Sequence, residues 1–339
     1  SVNMVVGPTI LAPLGLVLGE TERAFFSRVS PYGFILFARN LDNRDQIKML
    51  CADLRESVGR DTPIFIDQEG GRVQRLLPPL ATQFLAPLDE VERVTAQHGP
   101  KAALRAIYLR HRLIAADLVA LGIDANCAPT ADIAWPQTHE FLRNRCYGTT
   151  TKQVSTLCVA AADGLLAGGV LPVIKHIPGH GRSTLDTHFD LPRVTTTKAE
   201  LMQTDFAVFK ALANLPYAMT AHLIYSAIDP EKPATCSPAM MQIIRAELGY
   251  DGVVMSDDLS MKSLSGTLTQ RTTSALEAGC DLVLHCNGAL DEMDEICDAA
   301  GNLQGSALVR STKALTWRTP FKRGNIEAER REHSALLGG

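Results

Sequence analysis

Lys175 to Asp190 reads KHIPGHGRSTLDTHFD. Within sixteen residues it holds a lysine, an arginine, three histidines and two aspartates, directly after the apolar run Val170 to Ile174. The apolar run reads as a buried strand. Pro178, Gly179 and Gly181 then forbid a helix and force a loop. A strand that ends in a loop crowded with titratable groups is a common way to place acid–base or nucleophilic chemistry on a rigid support. Metal ligation is the rival use of such groups. His176 and His180 are four apart, as in helical zinc-binding pairs. Pro178 and Gly179 between them exclude a shared helix face. No metal and no cofactor is expected.

Similar groups recur where other apolar runs end. Arg39 and Asn40 follow Gly33 to Phe37. Asp67, Gln68 and Glu69 follow Pro63 to Ile66. Asp132 stands shortly after Ile123 to Cys127. His222 follows Ala218 to Ala221, Asp257 and Asp258 follow Gly252 to Met255, and His285 and Asn287 follow Asp281 to Leu284. With Ile10 to Leu18 and Leu171 to Ile174 these runs make eight candidate strands. Between them the spacing predicts helices over Glu20 to Val29, Arg44 to Val58, Lys101 to Leu121, Lys152 to Ala167, Lys198 to Ala213, Pro238 to Leu248, Thr269 to Ala278, and from Asp291 onward. Asp42 or Asn43 can cap the second helix. Ser237 caps the sixth, with Pro238 in first position and Gly249 at its end.

Eight strand-then-helix units in 339 residues match the number and size of a (β/α)8 TIM-type barrel. An open doubly wound sheet fits less well, because no GxGxxG follows the first strand. No linker or low-complexity stretch divides the chain. Residues 1–339 therefore read as a single catalytic barrel domain, with 306–339 a C-terminal helix and tail. In such a barrel the residues just after every strand face one mouth.

Composition excludes several classes. The net charge is −4 with both signs scattered, so no basic stripe points to nucleic acid or to an anionic membrane. The eight cysteines form no CxxC pair and read as reduced thiols. The apolar stretch Val5 to Leu18 is broken by Gly7, Pro8, Pro13 and Gly15 and is too short to span a bilayer. A soluble cytoplasmic protein is expected, with a monomer favoured.

The motifs also carry a resemblance. Asp67 to Leu76 reads DQEGGRVQRL, Lys175 to Gly181 reads KHIPGHG and is followed by Asp186-Thr187-His188, Ser256 to Met261 reads SDDLSM, and Arg145 to Gly148 reads RCYG. Over roughly residues 10 to 300 the chain resembles the family 3 glycoside hydrolases, and among them the single-domain bacterial β-N-acetylglucosaminidases of peptidoglycan recycling. The resemblance implies release of a non-reducing terminal N-acetylglucosamine (GlcNAc) from muropeptides that carry it on 1,6-anhydro-N-acetylmuramic acid. It implies Asp257 as nucleophile and His188 as acid/base with Asp186 as its partner. Asp67, Arg75, Arg145, Lys175 and His176 match the positions that hold the sugar. The chain departs from the family pattern at Ile177, Thr187 and Cys146, where phenylalanine, serine and serine are usual.

These residue types suit that chemistry. Retaining hydrolysis needs a nucleophile under the anomeric carbon and a proton donor at the leaving oxygen. An aspartate is ionised at neutral pH, while a histidine donates and accepts protons there. Asp186, two residues before His188, can fix its tautomer and stabilise the imidazolium. If His188 is not the acid, Glu69 and Asp132 are the next candidates. A substrate-assisted route, with the Asp257–Asp258 pair positioning the acetamido group, is the mechanistic alternative. A non-catalytic sugar-binding barrel and a metal-dependent barrel hydrolase are the functional ones.

Overall fold

Side chains alternate along a strand with a period of two, and that period lays out the interior. Leu171 and Val173, Tyr217 and Met219, Val253 and Met255, and Leu282 and Leu284 are all buried in one cluster with Ile10, Ile35 and Phe65. In the computed structural model, which describes residues 5–184, 191–320 and 324–338, these residues fill a closed barrel of eight parallel strands. The strands are Gly7–Leu11 (β1), Pro31–Leu36 (β2), Ile64–Ile66 (β3), Ala125–Asn126 (β4), Leu171–Ile177 (β5), Tyr217–Thr220 (β6), Val253–Asp258 (β7) and Leu282–His285 (β8). Each strand neighbours the next, and β8 closes on β1 through Thr9↔Val283 and Leu11↔His285. The expected (β/α)8 barrel is the fold.

Local signals explain most helix ends. Asn43 accepts from the Gln46 amide at 3.0 Å, and Ser237 from the Met240 amide at 3.0 Å with Pro238 in first position. Such caps satisfy amides that the first turn leaves orphaned.

Boundaries moved where tertiary contacts outweigh periodicity. The first strand starts at Gly7 and ends at Leu11. Residues 12 to 18 leave the sheet, and the Leu14 amide donates to Glu22 Oε2 (2.8 Å). The helix expected over Lys198 to Ala213 is two, Lys198–Gln203 and Asp205–Ala211. The break falls at Thr204, beside an Asp205 carboxylate held by Arg182 (2.7 Å) and by the Trp135 indole (3.0 Å). The sixth expected helix runs Pro238–Gln242 and then widens into a π turn over Ile243–Glu247. Several elements lie outside the expected set, two of them between β3 and β4. One is the helix Pro87–His98, which carries a first-turn proline and acidic residues at its start. The other is the hairpin of Gln68–Gly70 with Val73–Gln74. After β8 come the helices Leu290–Ala300, Gly305–Leu315 and Ile326–Leu336. No described helix is long and apolar enough to cross a membrane.

Candidate active site

The interior series does not stop where the apolar residues do. Beyond Phe65 it continues to Asp67, beyond Val173 to Lys175, beyond Met255 to Asp257 and beyond Leu284 to Cys286. All four line a cavity of about 490 Å³ at the C-terminal mouth of the barrel. That volume lies within the usual range for small-ligand sites. Lys175 and His176 both line it, although consecutive residues of a regular strand face opposite ways. The β5–β6 register shifts between Lys175 and Ile177, and such an irregularity re-aims side chains. A second shift, between Met255 and Asp258, lies in the β7–β8 pairing.

One wall of the cavity is a cluster of five charged side chains. Glu69 Oε1 and Oε2 accept from Arg145 Nε (3.0 Å) and Nη2 (2.8 Å), a bidentate pair. Lys175 Nζ lies 2.7 Å from Glu69 Oε2 and 3.3 Å from Asp67 Oδ1. Arg75 reaches the other Asp67 oxygen at 3.4 Å and lies over the Phe37 ring. Burial pushes the Glu69 carboxyl up, but Arg145 and Lys175 outweigh it and hold the group well below the usual carboxylate range. Burial likewise works against the Lys175 ammonium, and Glu69 and Asp67 keep its pKa above the ordinary lysine value.

A second wall is an imidazole pair on one carboxylate. Asp132 is fully buried. Its Oδ1 accepts the His176 and His180 amides (3.1 and 2.7 Å), and its Oδ2 meets His176 Nδ1 at 2.8 Å. That bond assigns the His176 proton to Nδ1 and turns Nε2 to the cavity. Burial and the neighbouring His176 push the His180 imidazole down to about 4, so it is neutral at pH 7. The two rings meet edge to face at 5.5 Å. Pro178 and Gly179 do exclude a helix, as expected, yet their turn still brings the two histidines together. Asp132 feels burial upward, but the facing imidazoles and the His180 amide bring its pKa below the ordinary value. Glu69 and Asp132 are thus ionised and engaged. This corrects the expectation that they stand next in line as proton donors.

The floor carries the aspartate pair. Asp258 is occupied: its Oδ1 accepts the Ser260 and Cys286 amides (3.0 and 3.2 Å) and its Oδ2 the Ser260 hydroxyl (2.7 Å). Asp257 Oδ1 accepts the Asp258 amide at 2.7 Å. Burial opposes ionisation of Asp257, but His222, His176, the Asp258 amide and Lys175 outweigh it and lower its pKa. His222 lies behind the pair, with Nε2 3.0 Å from the Asp258 carbonyl and Nδ1 2.6 Å from Thr235 Oγ1. At the rim Arg72 donates to the Phe141 carbonyl (2.8 Å) and stacks on its ring.

Asp67, Arg75, Arg145, Lys175, His176 and Asp257 therefore share one cavity. Asp186 and His188 lie outside the described residues. Of the departures, Ile177 and Cys146 are fully buried, and Thr187 is likewise undescribed. Sequence reasoning missed Glu69 as the counter-ion of Arg145 and Lys175 and Asp132 as the group that orients His176. The alternation Asp67, Gln68, Glu69 was the available signal for the first. Nothing local signalled the second. Among the described residues no three His, Cys, Asp or Glu side chains cluster as a metal site.

A family model described as glycosyl hydrolase family 3 N terminal domain matches residues 19–313. A β-hexosaminidase of Bordetella avium is 35% identical over 292 residues, covering 83% of this chain and 81% of its own. One of Bordetella parapertussis is 32% identical over 344 residues, covering 98% and 96%. Among solved structures, NagZ from Neisseria gonorrhoeae in complex with N-trifluoroacetyl-D-glucosamine is similar with a TM-score of 0.88 and 30% identity, over 99% of this chain and 98% of that one.

Proposed function

The chain belongs to glycosyl hydrolase family 3, and from that premise we propose that it is a retaining exo-β-N-acetylglucosaminidase acting on GlcNAc-containing muropeptides. The observation that carries the proposal is Asp257, bonded by the Asp258 amide at 2.7 Å and lining the floor of a cavity of about 490 Å³ beside Asp67, Lys175 and His176. The wall of that cavity is held rigid by paired charges. The N-trifluoroacetyl-D-glucosamine bound by the gonococcal relative supports an N-acylated glucosamine as the sugar.

Asp257 attacks the anomeric carbon from below, while His188, paired with Asp186, protonates the departing oxygen. The glycosyl-enzyme ester forms as the glycosidic bond breaks. In the second step His188 takes a proton from water, which attacks the same carbon and frees Asp257. Asp67 accepts from sugar hydroxyls, Arg75, Arg145 and Lys175 donate as charged groups, and His176 presents Nε2. Asp258 is engaged by Ser260 and Cys286, which favours the covalent route over a carboxylate pair that positions the acetamido group. The exposed Arg72 at the rim suits the carboxylates of a muropeptide aglycone. We read residues 1–339 as one catalytic barrel, with 306–339 its terminal segment, acting as a cytoplasmic monomer.

A panel of aryl glycosides with and without the 2-acetamido group tests the proposal. N-acetylglucosaminides should be preferred by on the order of 10²-fold or more in kcat/KM, since a site built to bond a group rejects the analogue lacking it. Equal kcat/KM for glucosides overturns the specificity. For the dyad, His188→Ala should impair substrates with sugar leaving groups far more than activated aryl ones. An equal loss on both reduces His188 to a binding residue.

A further inference from the structure

The charges beside the sugar are held from behind. Arg110, fully buried in the helix Pro100–Val119, donates through Nη2 to the Glu69 carbonyl and to the Leu85 carbonyl, both at 2.6 Å. Its Nη1 reaches Glu90 Oε1 at 3.0 Å. The second Glu90 oxygen meets Nε2 of His333, on the helix Ile326–Leu336, at 3.1 Å. Glu90 is wholly buried and His333 nearly so. One line of polar contacts thus runs from the last helix of the chain to the backbone of Glu69, whose carboxylate clamps Arg145 and Lys175.

The line ends on a tight fit. Gly70 has φ +102°, and a Cβ there would collide with the Arg110 guanidinium. The hairpin after β3 therefore rests on Arg110 with no side chain between. Buried ion pairs seldom add stability over apolar packing of the same volume, so stability alone does not account for this set. What it supplies is a fixed position: a guanidinium bonded on both sides holds the Glu69 carbonyl in one place.

We infer that His333, Glu90 and Arg110 form a positioning relay by which the C-terminal helix sets Glu69, and through it Lys175 and Arg145, and so sets the affinity for the sugar. The inference rests on the reading of this cavity as the sugar site. Lys175 and Arg145 hold the sugar in ground and transition states alike, so the relay acts on KM rather than kcat.

The test uses the full chain and three variants. His333→Phe keeps the ring against Phe84 but removes the bond to Glu90. His333→Gln keeps a donor. Arg105→Ala breaks the exposed Arg105–Glu332 pair between the same two helices without touching the relay. Two readouts are taken: KM and kcat for an aryl N-acetylglucosaminide, and amide hydrogen exchange over residues 68–74. His333→Phe should raise KM about tenfold, equivalent to about 1.4 kcal/mol, with kcat little changed and exchange in the hairpin faster. His333→Gln should restore both, and Arg105→Ala should alter neither. Unchanged KM and exchange in folded His333→Phe, or equal changes in Arg105→Ala, overturn the relay. Should His333→Phe not fold, Glu90→Gln is read by the same two measurements. If wild-type protein does not cleave the substrate while exchange still follows the relay, the functional reading fails and the relay stands.

Discussion

At the scale of single residues, the two adjacent aspartates differ in what their oxygens do. Asp258 spends its carboxylate on Ser260 and Cys286. Among the described residues Asp257 receives the Asp258 amide, and it lines the cavity. A 2- or 5-fluoro sugar should therefore label Asp257, and Asp257→Asn should lower turnover by on the order of 10⁴-fold or more. Peptide mapping that finds the label on Asp258 would reverse the assignment. Glu69 yields a pH prediction. Its folded pKa lies below the ordinary 4.5, so folding favours the ionised form. That stability is fully present above 4.5 and is lost as pH falls below it. Glu69→Gln should cost about 3–5 kcal/mol at pH 7, because buried Arg145 loses its carboxylate and Lys175 keeps only Asp67. Urea midpoints at pH 7 and pH 4 should show a smaller acid-side drop in the variant than in wild type. A parallel pair of drops would mean that Glu69 is not ionised in the fold.

At the scale of elements, the site depends on where strands stop being regular. The register shifts at the ends of β5 and β7 let neighbouring residues share one mouth, which a perfect period of two forbids. The hairpin Gln68–Gly70 with Val73–Gln74 places Asp67, Glu69 and Arg75 along one wall, and Gly70 is the residue that lets it seat on Arg110. Gly70→Ala combines an unfavourable backbone with a steric clash. It should cost about 2–3 kcal/mol in urea unfolding and raise KM more than it lowers kcat. An alanine variant of wild-type stability and KM would show that the hairpin does not need this close approach.

At the scale of the whole molecule, the barrel separates reactive groups at one end from closure at the other. At the closed end Tyr32 Oη lies 2.6 Å from Tyr217 Oη and donates to the Ser311 carbonyl at 2.8 Å, tying the barrel interior to the helix Gly305–Leu315. Tyr32→Phe should cost about 1–2 kcal/mol and leave kcat/KM unchanged. A variant of wild-type stability but impaired turnover would contradict that division. The terminal helix is the exception to it, since His333 reaches the active end through two further side chains.

What could be read from the chain alone was local in origin. Charged residues stand just after the apolar runs, so Gly252 to Met255 led to Asp257, and Val170 to Ile174 to Lys175. Eight such runs, each followed by helical spacing, sufficed for the barrel, because burial on both faces of a parallel strand writes itself into composition. The cap at Ser237 and the stop at Gly249 were equally local. Partnership was not. Glu69 finds Arg145 and Lys175 across 76 and 106 residues of chain, and Asp132 finds His176 across 44. Glu90 finds His333 across 243. Which carboxylate is clamped, which orients an imidazole and which is left facing the cavity is settled only when the barrel closes. Hydrogen bonds and charge pairs are set by distance in space, and spacing along the chain carries no record of it.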